Sequence, residues 1–293
     1  MDQFLQQFLN GLQLGSLYAL IALGYTMVYG VLLLINFAHG DIFMMGAFFG
    51  IFFAFTFDLP FLPSLLLSMA VVGVMGVLIE RIAYKPLRHA SRLSVVITAL
   101  GVGLFLENGM LALTGASPRS YPQDFVETRV FEVAGLSVSN VKILIVVLAF
   151  VLMAGLYLLV QRTKWGMAMR AISYDKFALP LMGVSQDRVI SLTFLIGAAL
   201  AAAGGILWGV AYPVLNPYMG LRIGWKAFIA AVVGGIGDIR GAMAGAMILG
   251  FLEVYVAAYL ASTYRDLIVF VLLLAILVVR PTGLFGVARR QKV

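Results

Sequence analysis

Long apolar runs separated by short polar links dominate the hydrophobic pattern of this chain. A helix of about 20 apolar residues crosses the hydrocarbon core of a bilayer. Runs of this kind predict spans at about 9–34, 40–58, 61–82, 93–115, 141–161, 189–213, 225–237, 242–261 and 265–281. The pattern therefore predicts an all-α polytopic membrane protein with a single transmembrane domain over residues 1–293. Because the run 225–237 is short and glycine-rich, nine spans are expected, or eight if that run is re-entrant.

Composition excludes a soluble globular domain. The 293 residues are 62% hydrophobic and 11% charged, whereas soluble domains carry roughly 25% charged residues. The chain has no cysteine, which excludes disulfides and cysteine-based metal sites. The net charge of +7 does not indicate nucleic-acid binding, because basic residues in a membrane protein mark the loops on the cytoplasmic side.

The distribution of charge predicts how the chain is oriented. Basic residues concentrate in three links, near 81–92, 162–188 and 280–292, and the positive-inside rule places all three in the cytoplasm. The segment 116–140 mixes acidic and basic residues and is expected outside. Nine spans then put the N-terminus outside and the C-terminus in the cytoplasm. The first basic residue is Arg81, so we expect no cleavable signal peptide, which would need a basic start.

An internal repeat is visible when the chain is aligned with itself at an offset of 180 residues. Between 19–48 and 199–228 the identical pairs are Ala19/Ala199, Leu20/Leu200, Ala22/Ala202, Gly24/Gly204, Asn36/Asn216, Gly40/Gly220, Ala47/Ala227 and Phe48/Phe228. This composition would give about three such pairs by chance. The repeat halves are expected at about 9–115 and 189–281, joined by a linking span at 141–161. Four spans, one linking span and four spans make the halves opposite in orientation, as in transporters with interrupted helices.

Each half carries a polar break, NFAHG at 36–40 and NPYMG at 216–220. Unsatisfied polar groups in a membrane cost several kcal/mol, so we interpret these breaks as part of a transport path. The charge pattern places the two breaks at opposite sides of the membrane. The residues predicted to line the path are Tyr25, Tyr29, Asn36, His39, Gly40, Asn216 and Gly220.

Ionisable residues within or beside spans are functional candidates, but each also has a structural interpretation. His39 and Asp41 could lie in water at the cytoplasmic end of a span. Glu107 could be the partner of an internal ion pair. Lys226 is expected to reach the outer interface by extending its side chain along the helix.

The sequence contains no catalytic motif. It has no Walker A pattern, no G-x-S-x-G elbow and no H-E-x-x-H, and its two histidines are His39 and His89. No array of carboxylates suggests ion coupling, so energy would come from another subunit or transport would be passive. A secondary transporter with inverted repeats, driven by an ion gradient, is the alternative, and a purely structural scaffold is a third hypothesis.

The link 162–188 is long for a cytoplasmic loop and contains a short amphipathic part around residues 170–182. Such a helix can lie on the membrane surface. It can also dock into a groove of a cytoplasmic partner. Gly183 would end it, and Pro180 limits its regular extent.

The chain resembles the permease subunits of branched-chain amino-acid ABC importers, of the LivH type. The matching stretches are NGLQLGSLYALIALGYTMVYGVLLLINFAHGD, IERIAYKPLR, WGMAMRAISYDKFALPLMGV, DRVISLTFLIGAALAAAGGIL, NPYMG, KAFIAAVVGGIGDIRGAMAGA and RPTGLFG. They follow the order of the family over nearly the whole chain, and as a set they are specific.

The resemblance implies a permease in the bacterial inner membrane that moves branched-chain or related hydrophobic amino acids. It would pair with a second, LivM-like permease, two cytoplasmic ATPases and a periplasmic substrate-binding protein. ATP and Mg would bind to the partner ATPases, and no cofactor is implied in this chain. The coupling segment of the family falls on Arg170, Ala171, Asp175, Ala178, Gly183 and Val184. The family also includes importers of urea, amides and other amino acids, which these motifs do not separate.

Overall fold

Helices build most of the protein in the computed structural model, which describes residues 2–88, 90–133, 135–174 and 178–286. The elements in chain order are α1 (Asp2–Leu32), α2 (His39–Thr56), α3 (Phe61–Ile79), α4 (Arg92–Thr114), β1 (Val130–Val133), β2 (Leu136–Ser139), α5 (Asn140–Arg162), α6 (Lys164–Tyr174), α7 (Ala178–Leu181), α8 (Gln186–Ala211), α9 (Met219–Gly234), α10 (Ile239–Tyr259) and α11 (Arg265–Val279). Helix α3 continues as one π-helical turn, Glu80–Tyr84, before the chain turns back.

Eight helices of the described chain are long and apolar enough to cross a membrane. They are α1, α2, α3 with its continuation, α4, α5, α8, α10 and α11 with the turn before it. Helix α9, which contains the predicted span 225–237, has only 16 residues and is not among them. The protein is therefore a multi-span helical membrane protein, and its seventh predicted span is a short helix.

One end of the helical bundle carries the only strands that the described residues form. Strands β1 and β2 pair antiparallel, from Val130 opposite Ser139 to Val133 opposite Leu136. The Gln6 side chain exchanges two hydrogen bonds of 3.1 Å with the backbone of Ser137, which fixes the start of α1 to this hairpin. We call this the hairpin end of the bundle. The opposite end, which carries Arg81, Lys85 and Arg88, is called the basic end.

The helices form two sets of four with corresponding contacts, α1–α4 and α8–α11, and α5 connects them. In the first set, α3 packs against α8. In the second set, α10, the counterpart of α3, packs against α1, the counterpart of α8. The predicted inverted repeat is therefore present as a pair of intertwined halves.

Close glycine contacts show the relative direction of α1 and α8. Gly24 of α1 faces Gly197 of α8, and Gly204 faces Ile21, so α1 and α8 run antiparallel. Small residues let helix backbones approach in this way within lipid.

Helix α10 also runs antiparallel to α1, because Gly11 faces Phe251 and Gly15 faces Met247. Helices α8 and α10 therefore run in the same direction, and the chain between them must return. Residues 212–234, including the short α9, carry that return. The described part of the chain thus passes nine times between the two ends, and eight of these passes are helices with the length of a full span.

Candidate functional site

The two polar breaks adopt the same local structure. At the first break, the side-chain oxygen of Asn36 accepts a hydrogen bond of 3.1 Å from the Ala38 amide, and its carbonyl accepts one of 3.1 Å from His39. At the second break, Asn216 accepts equivalent bonds of 3.0 Å from Tyr218 and 3.1 Å from Met219. Each asparagine closes a turn that begins a new helix. The repeat is therefore preserved in hydrogen bonds as well as in sequence.

The helices that follow the breaks start at the same place. A Cβ atom added to Gly220 would lie 2.8 Å from the Gly40 carbonyl oxygen, and one added to Gly224 would lie 2.7 Å from the Gly40 Cα. The N-termini of α2 and α9 therefore meet, and from there the helices run to opposite ends of the bundle. We call this contact of Gly40, Gly220 and Gly224 the junction. Both chain segments fold back into the bundle and reach the junction from opposite ends of it, and the placement of the two breaks at opposite sides of the membrane stays a prediction.

The side chains beside the junction are buried. His39 is 1% exposed, and its ring lies 4.7 Å from the Tyr25 ring, centroid to centroid. Asp41 is 5% exposed. The interpretation of His39 and Asp41 as residues in water at the end of a span is therefore wrong.

Several buried polar atoms near the first break have no hydrogen-bond partner among the described residues. They are Thr26 Oγ1, Asn36 Nδ2, His39 Nε2 and Asp41 Oδ1. Unsatisfied polar groups are costly in a protein interior, and more so in a membrane. Buried polar atoms without a partner often mark places where a protein changes its structure or binds a ligand.

The structure groups most of the predicted path residues but separates one. Tyr25, His39, Gly40 and Gly220 surround the junction. Asn36 and Asn216 lie one turn away from it, at the breaks themselves. Tyr29 is different, because it is half-buried beside Gly237 near the last turn of α1.

The two breaks differ in how they are covered. The Tyr84 hydroxyl, from the π-helical turn, donates a hydrogen bond of 2.6 Å to the Asn36 side-chain oxygen. Asn216 instead lines an open cavity of about 490 Å³ at the hairpin end. The first break is therefore closed at the basic end, and the second is open at the hairpin end.

The cavity at the hairpin end has aromatic walls and charged residues. Its lining residues are Leu14, Tyr18, Trp208, Tyr212, Val214, Asn216, Tyr218, Met219, Arg222, Ile223, Lys226, Glu253 and Arg265. We call it the hairpin-end cavity.

Lys226 belongs to an ion cluster in this cavity. Its Nζ lies 2.6 Å from Glu253 Oε1 and 2.8 Å from Asp266 Oδ1. The Tyr18 hydroxyl donates a hydrogen bond of 2.8 Å to Glu253 Oε2. Lys226 therefore ends in ion pairs, one of them with an Asp266 side chain that is 57% exposed, and its position at the outer interface stays a prediction.

A second ion cluster lies at the basic end. Arg88 donates to both Glu80 and Asp187, and Ser191 donates a hydrogen bond of 2.7 Å to Glu80 Oε2. The Glu80 side chain is fully buried. Neither Glu80 nor Tyr84 was expected from the sequence, although they lie in ERIAYKPLR, where a carboxylate ends a long apolar run. That isolated charge is the signal that could have identified them.

Glu107 is half-buried in α4 and makes no ion pair with the described residues. The expectation that it is an internal ion-pair partner is therefore wrong for the part of the chain that the structure describes.

The segment expected to couple to a partner folds as two helices at the basic end. Arg170 in α6 donates to the Val160 carbonyl, and Ala171 is half-buried. Helix α7 begins at Ala178, and Gly183 then turns the chain at φ +75° towards Val184 and α8. Asp175 lies outside the described residues.

The surface of this segment is apolar. Leu181 is 88% exposed and Met182 is 76% exposed, and Met167 and Trp165 are exposed beside them. Exposed apolar patches of this kind mark contact surfaces with other proteins or membranes. A link 162–188 that lies on the membrane surface and one that docks into a cytoplasmic partner would both need such an apolar surface.

Comparison with known proteins gives matches over the whole chain. The family model described as branched-chain amino acid transport system / permease component matches residues 7–277. The high-affinity branched-chain amino acid transport system permease protein BraD of Pseudomonas aeruginosa is 42% identical, over 99% of this chain and 98% of that protein. The permease protein LivH of Escherichia coli K12 is 41% identical over the same shares.

Among solved structures, the chain is similar to a metal-chelate type ABC transporter in an inward-facing conformation. The TM-score is 0.51 at 15% identity, over 92% of this chain and 85% of that one. This similarity concerns the fold alone.

Proposed function

The chain belongs to the family of branched-chain amino acid transport permease components, and on that premise we propose that it carries branched-chain or related hydrophobic amino acids across the membrane as one subunit of an ATP-driven importer. The meeting of the N-termini of α2 and α9 at the junction is the observation that supports this proposal best. In transporters with inverted repeats, interrupted helices meet where the substrate passes.

The proposed orientation places the basic end in the cytoplasm and the hairpin end outside, with the N-terminus outside and the C-terminus inside. The basic residues of the links at 81–92 and 162–188 support it. In this orientation the hairpin-end cavity receives substrate from a periplasmic binding protein. In this proposal the hydrogen bond from Tyr84 to Asn36 closes the cytoplasmic side of an outward-open state.

A second, LivM-like permease completes the proposed path. Beside the junction, Leu221 is 51% exposed and Trp225 is 41% exposed, and a small cavity there is lined by Tyr25, Gly40 and Gly220. We infer that the second permease covers this face, which would place the junction at the boundary between the two subunits.

The energy would come from two cytoplasmic ATPases, which bind ATP and Mg in this proposal. Their docking surface would be the exposed apolar face of α6 and α7. This segment runs directly into α8, whose first turn holds Asp187 in the ion pair with Arg88. The contacts continue from Arg88 to Glu80, and Tyr84, one turn further along the chain, donates to Asn36. Movement of the coupling segment could therefore bias the state of the first break, because a switch requires different contacts in the two states.

Replacing Leu181 with aspartate is expected to reduce ATP-driven uptake at least about tenfold while the protein still folds, because a charge in a docking groove opposes burial of an apolar face. Uptake by reconstituted vesicles and the amount of co-purified ATPase measure this. Ser185→Asp is the control, since Ser185 is exposed at the start of α8, where an acidic cap is tolerated. Equal loss in both variants would argue against a specific docking surface.

Replacing Tyr84 with phenylalanine is expected to shift the protein up to about tenfold towards opening at the basic end, since a hydrogen bond contributes about 0.5–1.5 kcal/mol net. The chain has no cysteine, so a single cysteine at Phe37 can report accessibility to an impermeant maleimide. The labelling rate from the basic side should rise. Tyr255→Phe, which removes an exposed bond of 3.3 Å at the hairpin end, should leave it unchanged. A rate that does not respond to Tyr84→Phe would show that this bond does not close the path.

The source of energy tests the function as a whole. Leucine uptake by membrane vesicles that contain the native subunits should stop on ATP depletion and persist when ionophores collapse the proton and sodium gradients. The opposite result would favour a secondary transporter and overturn the proposal.

A further inference from the structure

The hairpin-end cavity holds fixed charges of both signs. Glu253 and Lys226 lie on its wall, and Arg222 and Arg265 line it nearer the exterior. Its volume of about 490 Å³ lies within the usual range of small-molecule sites, about 300–1,000 Å³.

Burying the ion cluster of the cavity costs free energy. Only 13% of the Lys226 side chain and 6% of the Glu253 side chain are exposed, and charges at membrane depth are functional candidates by default. Glu253 accepts one bond from Lys226 and one from Tyr18. A carboxylate can accept about four hydrogen bonds, so capacity for a further donor remains.

Arg222 supplies a further cation beside the ion cluster, close enough to interact electrostatically with Asp266. It is exposed on the first turn of α9, and no described carboxylate lies within ion-pair distance of its guanidinium. A guanidinium binds a carboxylate through two parallel hydrogen bonds. The N-terminus of α9 also favours an anion at this position.

We propose that the hairpin-end cavity binds an α-amino acid through both of its charged groups. The Glu253 carboxylate receives the ammonium group, and the Arg222 guanidinium receives the carboxylate. Tyr18, Trp208 and Tyr212 provide the apolar wall against which an aliphatic side chain packs. This assignment rests on the proposed function, and it adds a recognition site in the permease itself.

The site lies directly before the junction. Asn216 and Met219 line the cavity, and Met219 is followed by Gly220, which contacts Gly40. An amino acid released from Glu253 and Arg222 would therefore reach the place where α2 and α9 meet.

Binding to the full-length chain, purified with its co-purifying subunits into nanodiscs, tests the site. The probes are radiolabelled L-leucine, isopentylamine, which keeps only the ammonium, and 4-methylpentanoate, which keeps only the carboxylate. Leucine should bind at least about tenfold more tightly than either analogue, since a bond to a charged group is worth about 1.5–3 kcal/mol. Equal affinity for all three probes would overturn the proposal.

Two variants then assign the groups. Arg222→Gln should weaken leucine about tenfold and leave isopentylamine unchanged, and Glu253→Gln should weaken both of them and leave 4-methylpentanoate unchanged. Arg222 is exposed, so its variant tests the site even if the Glu253 variant fails to fold. Arg129→Gln, on the exposed hairpin, is the control and should bind leucine normally. Leucine binding that is unchanged in Arg222→Gln would overturn the assignment.

Uptake measurements distinguish a failure of this proposed site from a failure of the proposed function. If vesicles with the unaltered chain show no ATP-driven uptake of any amino acid, the proposed function fails. If they take up leucine and Arg222→Gln and Glu253→Gln leave its KM unchanged, only the site in the hairpin-end cavity fails.

Discussion

Replacing Gly40 with alanine is expected to reduce transport at least about tenfold and to destabilise the protein by about 1–3 kcal/mol, the usual cost of overpacking. The new Cβ would overlap the Gly220 carbonyl oxygen and lie 3.0 Å from the Gly224 Cα. Both are backbone atoms, so no side-chain rotation can relieve the contact. The starts of α2 and α9 would have to separate, and the junction would be lost. Uptake per folded protein and thermal unfolding in detergent measure the two effects.

Gly155→Ala is the matched control for this substitution. Gly155 is also within a helix, but a Cβ added there meets no atom within 4 Å. The control should transport and unfold like the unaltered protein, or become slightly more stable, because alanine favours a helix over glycine. Normal transport and stability in Gly40→Ala would show that the N-termini of α2 and α9 do not need to touch.

Much of the architecture follows from local patterns. The apolar runs predict the spans, because only a helix satisfies its own backbone in lipid. The offset of 180 residues predicts the correspondence of Asn36 with Asn216, and the equivalent turns at the two breaks confirm it. These features depend on residues close together in the chain, which a sequence displays directly.

The contact between the two breaks could not be predicted in the same way. The charge pattern reports which side of the membrane a link faces, and it does not report how far a segment folds back into the bundle. The contact between Gly40 and Gly220 depends on the packing of α2, α8 and α9, which are far apart in sequence. For the same reason the sequence did not identify the pairing of Tyr18 with Glu253, which are 235 residues apart.

The two buried glutamates, Glu80 and Glu253, show how the repeat halves have diverged. Each lies near one end of the bundle. Each forms an ion pair with a basic side chain that also pairs with a more exposed aspartate. Glu80 and Arg88 hold the turn whose Tyr84 closes the first break, whereas Glu253 and Lys226 face the hairpin-end cavity. A symmetric fold thus has one closed end and one open end, which is what a transporter needs in order to expose its path to one side at a time.

Replacing Glu80 with alanine is expected to destabilise the protein by about 3 kcal/mol, because it leaves a buried cation without its buried partner. The Arg88 side chain is only 14% exposed, and its remaining partner, Asp187, is about half exposed. Thermal and denaturant unfolding in detergent measure the loss. Glu127→Ala, which breaks the exposed pair with Arg129, is the control and should unfold like the unaltered protein.

The double variant Glu80→Leu with Arg88→Leu separates stability from coupling. Apolar replacement of a whole buried ion pair is often neutral or stabilising, so unfolding should return close to that of the unaltered protein. Uptake should stay low, because Asp187 at the start of α8 would keep only its half-exposed ion pair with Lys85 as a connection to the turn that carries Tyr84. Recovery of both stability and uptake would show that the cluster only holds the fold together. Recovery of stability alone would show that the same ion pairs carry the movement of the coupling segment to the first break.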